Sequence, residues 1–177
     1  LFGDEAQGAY QYDGQEYVGR FEHIGPYDSC TECHSTHQLE VKFEECGDCH
    51  GDGVDSQEAL ATIRESDTDF DGDGDTDEGV AGEIETMSEL LYAALQAYAA
   101  DTAGTPIEYN PGQYPYFFDD AGERYAAWTP RLLEAAYNYQ YAQKDPGAFA
   151  HNAPYVLQVL YDSIEDVGGD VEGMTRP

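Results

Sequence analysis

The sequence predicts a mainly α protein: a C-terminal bundle of about three helices, preceded by an N-terminal segment with little regular structure. Three observations point there. Beyond residue 83, three stretches repeat apolar residues at three- and four-residue steps, the period of a helix with one buried face. Between residues 23 and 66 no such period runs, yet all four cysteines and three of the five histidines crowd into "CTECHSTHQLEVKFEECGDCH", from Cys30 to His50. An aspartate run, "DTDFDGDGDTDE", separates the two regions.

The chain has 177 residues, the length of one domain or of one domain with a small appendage. Its 37 acidic residues against 7 basic ones give a net charge of -30. That excludes ordinary nucleic-acid binding, which needs a basic surface, and disfavours anionic lipid. Such a field attracts metal cations and basic partners. High charge with low hydropathy also describes disordered chains, but 15 Tyr, 7 Phe and the periodic stripes imply a folded body. No apolar run reaches the length of a membrane span. No charged-then-apolar leader opens the chain, so an exported protein is expected here in its mature form.

Residues 1–22 are rich in Gly, Gln and Tyr, and Tyr10 and Tyr12 alternate with polar residues. An extended arm is expected, packing on its own body or on a neighbour.

Residues 23–66 hold the cysteines as Cys30-x-x-Cys33-His34 and Cys46-x-x-Cys49-His50. Two such pairs can bind one zinc ion, form disulfides, or attach two haem c groups. A four-cysteine zinc site has no use for a His directly after each pair. Haem c does, because the thioether links hold the porphyrin over the next residue. Two haems would then fill this segment in place of side chains, which accounts for its missing apolar period. "SQEALATIRES" within it reads as a short helix.

Residues 67–83 form an acidic cation-binding loop. Alternating aspartates with glycine at the bend are the chemistry of a calcium loop. The candidate ligands are Asp67, Asp69, Asp71, Asp73, Asp75, Glu78 and Glu83. One register starts at Asp69 and needs Glu78 or Glu83 to close it; the other starts at Asp67 and closes on Glu78. A weaker candidate spans Asp119 to Glu123.

Residues 84–177 are the helical domain. The first helix carries Ile84, Met87, Leu90, Leu91, Ala94, Leu95 and Tyr98 on one face. The second begins at Thr129-Pro130, an N-cap followed by proline at the first helical position, with a stripe of Leu132, Leu133, Ala136 and Tyr137. The third starts near Asn152 and Pro154, buries Val156, Val159, Leu160 and Ile164, and ends at Gly168-Gly169. The Pro-, Gly- and Tyr-rich loop 104–125 is long enough to pack as a structured excursion or to cover a haem.

The doubled attachment motif and "CHSTH" resemble the multihaem c-type cytochromes over roughly residues 23–50. By that resemblance His34 and His50 are proximal iron ligands, and the second His of C-x-x-C-H-x-x-H, here His37, is a distal candidate. His23, shortly upstream of Cys30, and His151, at the start of the last helix, are the other two. The resemblance implies two haem c groups and attachment outside the cytoplasm: extracellular, cell-surface or periplasmic.

Two haems with protein ligands on both sides carry electrons and bind no substrate. The leading expectation is a non-enzymatic dihaem cytochrome, forming a homo-oligomer or polymer with other cytochrome subunits as an extracellular conducting filament. The alternatives are a soluble dihaem shuttle with basic redox partners, and a haem reductase. Three distal candidates for two haems leave one histidine over, which would link subunits through iron if all three ligate. The acidic field favours ferric iron, so low haem potentials are expected.

Overall fold

The computed structural model describes residues 8–177. It is mainly α. In chain order the helices are α1 (Cys30–Cys33), α2 (Phe43–His50), α3 (Gln57–Ala61), α4 (Val80–Tyr98), α5 (Pro130–Gln143) and α6 (Ala148–Asp166). The last three pack on one another pairwise. No helix of the described residues is long and apolar enough to cross a membrane.

α4 buries Ile84, Met87, Leu91 and Leu95 against the other two helices. It starts at Val80, one turn earlier than its apolar stripe suggests, so the end of the expected acidic loop is already helical. Leu90 lies off the stripe and is exposed. α5 starts as its sequence signals, with the Thr129 hydroxyl accepting the Leu132 N–H at 3.1 Å and proline in the first turn. Its buried face differs from the expected one. Leu132, Ala135, Ala136, Tyr139 and Ala142 point inward, while Leu133 and Tyr137 are more than half exposed. The alanines form the seam because they let neighbouring helices approach, which leaves the larger Leu133 and Tyr137 outside.

In α6, Val156, Val159, Leu160 and Ile164 are all buried. A break at Asn152 (φ -168, ψ 70) divides it into a short first piece bearing His151 and a long second piece. Pro154 stands in the first turn of the second piece, where a missing N–H costs nothing. Gly168 (φ +82) ends the helix, and the Gly169 N–H returns to the Ile164 carbonyl at 2.8 Å.

Between α4 and α5 a π-helical turn (Ala99–Ala103) leads to two short antiparallel strands, β1 (Glu108–Tyr109) and β2 (Phe117–Phe118), with Glu108 opposite Phe118. Ile107, Phe117 and Tyr125 join the helical core, so the long loop is a packed excursion.

The arm, as far as it is described, runs extended over α5 and α6, with no strand. Asn138, fully buried on α5, clamps Tyr10 from both sides: its Oδ1 accepts the Tyr10 N–H at 2.7 Å and its Nδ2 donates to the Tyr10 carbonyl at 3.0 Å. Gln158 accepts the Val18 N–H at 2.9 Å, and Asn152 donates to the Gly19 carbonyl at 3.0 Å. These buried amides supply the hydrogen bonds that an extended backbone lacks outside a sheet. Residues 1–7 of the arm lie outside the described residues.

From residue 10 to residue 53 no residue is buried. That stretch is held by hydrogen bonds: a bridge between His34 and Val41, the Lys42 N–H to the Cys33 carbonyl at 2.9 Å, and the Lys42 ammonium to the Thr31 carbonyl at 2.8 Å. It is more regular than its sequence suggests, since α2 runs for eight residues. α3 forms where "SQEALATIRES" predicts it, capped by the Ser56 hydroxyl on the Ala59 N–H at 3.2 Å. It docks on the start of α4 at buried Gly79, where any side chain would collide with the backbone of Ala61 and Thr62.

Candidate functional site

The four cysteines are free thiols; Cys30 and Cys49 are exposed, Cys33 and Cys46 half-buried. No disulfide joins them, and among the described residues no three of these thiols and imidazoles converge as a metal site. Burial pushes the Cys33 thiol up, and Cys46, Glu32 and Glu45 add to it; burial also pushes Cys46 up.

The histidines fall into pairs. His34 and His151 lie with ring centres 6.2 Å apart, tilted at 45°, and His50 and His23 lie edge to face at 6.0 Å. Each pair joins one C-x-x-C-H histidine to one distal candidate. A metal ion between two imidazoles, at metal–nitrogen bonds of about 2 Å, sets ring centres about 6 Å apart. Ordinary ring contacts also occur at this separation, and three of the four rings also have a polar partner at Nδ1. His34 Nδ1 lies 3.0 Å from the Leu39 carbonyl. His151 Nδ1 lies 2.8 and 2.9 Å from the two Asp145 oxygens. His50 Nδ1 stands 3.3 Å from Glu65 Oε1. Each partner is an acceptor, so a protonated Nδ1 suits these three rings and would leave Nε2 as the nitrogen available to a metal. This is the outer support that metal-bound histidines usually have.

Burial alone would push the Asp145 carboxyl up, but the hydrogen bond and charge of His151 outweigh it and hold it below the usual range. Gly147 completes the cradle, since a side-chain carbon there would meet the His151 ring at 2.9 Å. His23 is positioned by rings instead, edge-on to Phe21 and Tyr27. His37 is exposed on the turn between the two motifs and is in neither pair. Met87 is sealed in the core.

No family model, curated protein or solved structure matches this chain. The site is therefore read from its own chemistry. Its donor set is one that two haem c groups could use: two thiols beside a histidine in each motif, a second imidazole about 6 Å from each of those histidines, and a surrounding segment with no buried residue.

The acidic loop is organised by its carboxylates. Asp69 accepts the N–H groups of Gly72 at 2.6 Å and Gly74 at 2.9 Å; Asp71 accepts that of Asp73 at 3.1 Å, and Asp73 that of Asp75 at 2.7 Å. Two carboxylate triads converge, Asp69–Asp71–Glu83 and Asp71–Asp73–Glu78, each within 4.8 Å. Asp67 and Asp75 belong to neither. Burial, then the charges of Asp71, Glu83, Asp73 and Asp75, push the Glu78 carboxyl up to about 7. The weaker candidate at 119–123 is a turn: Asp119 Oδ1 accepts the N–H groups of Ala121 at 3.0 Å and Glu123 at 2.9 Å.

Sequence reasoning missed Asp145, Glu65 and the Leu39 carbonyl as supports of the histidines. One signal was present: "KDPGAFAH" places an acid six residues before His151 across a turn.

Proposed function

We propose that the protein is a dihaem c-type cytochrome that transfers electrons outside the cytoplasm and catalyses no reaction. The observation that carries this is the two opposed histidine pairs, one for each attachment motif. Haem, when bound, supplies one-electron exchange. The chain supplies the rest. Cys30 and Cys33, and Cys46 and Cys49, would hold the two groups covalently. His34 with His151, and His50 with His23, would occupy both axial positions, which favours electron transfer over substrate binding. Asp145, Glu65 and the Leu39 carbonyl fix the imidazole tautomers. The acidic surface stabilises the ferric state, lowers the potentials and selects basic redox partners.

With both pairs closed inside one chain, no iron needs a ligand from a neighbour. The arm that suggested subunit contact is bound to its own α5 and α6. A discrete carrier is therefore the reading this geometry supports best. The exposure of His37, beside exposed Leu39, favours a second reading, end-to-end assembly into a conducting filament through that turn. A reductase would need an open position at one iron, and a second histidine near each motif's own weighs against that reading.

The test is haem-loaded protein made in a host that attaches haem c. Two covalent haems per chain and all-low-spin ferric spectra are expected, with no carbon monoxide binding after reduction. His151→Ala should turn one of the two haems high-spin, and His37→Ala should change neither. One haem per chain, or a high-spin fraction in the unaltered protein, overturns the proposal. Fibres in electron micrographs that are lost in His37→Ala would move the reading from carrier to filament.

A further inference from the structure

Five buried side-chain polar atoms among the described residues lack a hydrogen-bond partner, and three are carboxylate oxygens of the acidic loop and the first turn of α4: Asp71 Oδ2, Glu78 Oε1 and Glu83 Oε1. An isolated buried carboxylate oxygen costs several kcal/mol unless something positive meets it. For Glu83 the structure supplies it. Arg64 sits 2.6 Å from Glu83 Oε1 as an ion pair, though not in hydrogen-bond geometry. Glu83 Oε2 accepts the N–H groups of Phe70 at 2.9 Å and Asp71 at 2.8 Å. Nothing equivalent reaches the other two. Asp71 is only 4% exposed. The Thr86 hydroxyl lies near enough to temper its charge, but Oδ2 has no formed hydrogen bond.

We propose that this loop binds one calcium-class cation through Asp71, Asp73 and Glu78, and that Glu83 is a positioning residue held by Arg64. The hard oxygen donors and the size of the triad suit calcium better than a transition metal. Asp69 shapes the loop by accepting two backbone N–H groups. Asp67 and Asp75 lie outside the site.

The ion would also fasten the end of the chain. The Thr175 N–H donates to the Phe70 carbonyl at 3.0 Å, and Gly72 lies so close to Gly173 that a side-chain carbon there would stand 2.7 Å from its carbonyl carbon. Arg176, two residues from Met174, pairs with buried Asp162 at 2.7 Å and donates to the Glu16 carbonyl of the arm at 2.8 Å. Ordering the loop therefore orders tail and arm together. The inference needs no haem, so it stands or falls separately from the electron-transfer reading.

The experiment is calorimetric titration of the full chain, stripped with a chelator, with calcium and then magnesium, alongside hydrogen exchange with and without calcium. Expected are about one calcium per chain, weaker magnesium binding, and slowed exchange across 69–78 and 171–176. Asp71→Asn and Glu78→Gln should each weaken calcium at least about tenfold, whereas Asp119→Asn should not. Both loop variants remove repulsion, so in chelator they should melt no lower than the unaltered chain, which separates lost binding from lost folding. No saturable binding up to about 10 mM calcium, well above the weak extracellular range, overturns the proposal. So does binding that Asp71→Asn leaves intact.

Discussion

Residues 10–53 and residues 80–167 belong to one chain but solve folding differently. The later region carries a helical period, and nearly every large buried side chain lies there or in the loop packed on it. The earlier region buries nothing, and α1, α2 and α3 contain no buried residue. Its order comes from the buried amides of Asn138, Asn152 and Gln158 that hold the arm, the His34–Val41 bridge and the Lys42 ammonium. On the proposed reading, two haems would supply the apolar face that this segment does not write into its sequence. Lack of periodicity, taken together with clustered thiols and imidazoles, therefore means something other than disorder.

Substitutions can break this contrast, and the largest effect is expected at the joint. Arg64→Met leaves Glu83 charged, buried and beside Asp71, and should cost about 3–5 kcal/mol in urea unfolding. Arg64→Met with Glu83→Gln should recover most of that loss. If the single change costs under about 1 kcal/mol, the pair does not hold the joint. Next is Leu160→Ala, in the fully buried heart of α6, expected to cost about 2–5 kcal/mol by the same measurement. Asn138→Ala should cost about 1–3 kcal/mol, because the Tyr10 backbone loses both partners; hydrogen exchange at Tyr10 should rise, while the centre of α4 stays protected. The smallest effect is expected at Val41→Ala in the haem-free chain, within about 0.5 kcal/mol, as for a surface site. A loss above about 2 kcal/mol there would show that the early region has a core of its own, and the contrast would fail.

Much of the helical body was legible. Stripes, the Thr129 cap with Pro130, and the Gly168-Gly169 stop are local signals, and each forms as its chemistry requires. The seam of α5 was less legible, because leucine and tyrosine looked more like a buried face than alanine does. Asn138, Asn152 and Gln158 read as interruptions of apolar stripes, since nothing local reveals that an extended arm will cross them. Both C-x-x-C-H motifs were plain, because the pattern lies in adjacent residues. The histidine that each would meet was not, because His34 and His151, like His50 and His23, come together only in the fold. The acidic loop announced itself, but its register did not. Glu83 looked like a closing ligand until Arg64, nineteen residues earlier, was found against it.

The exposure of Cys30 and Cys49 bears on the order of events during maturation. The main core of the helices from 80 onward includes no residue between 10 and 53; only Tyr17 of the arm leans on the smaller cluster of Ala9, Tyr155 and Val159. If the chain carries haem c as proposed, an attaching enzyme would meet thiols still open to it, on a body that has already formed. On that reading a pause in haem supply would leave a folded body waiting rather than an unfolded chain.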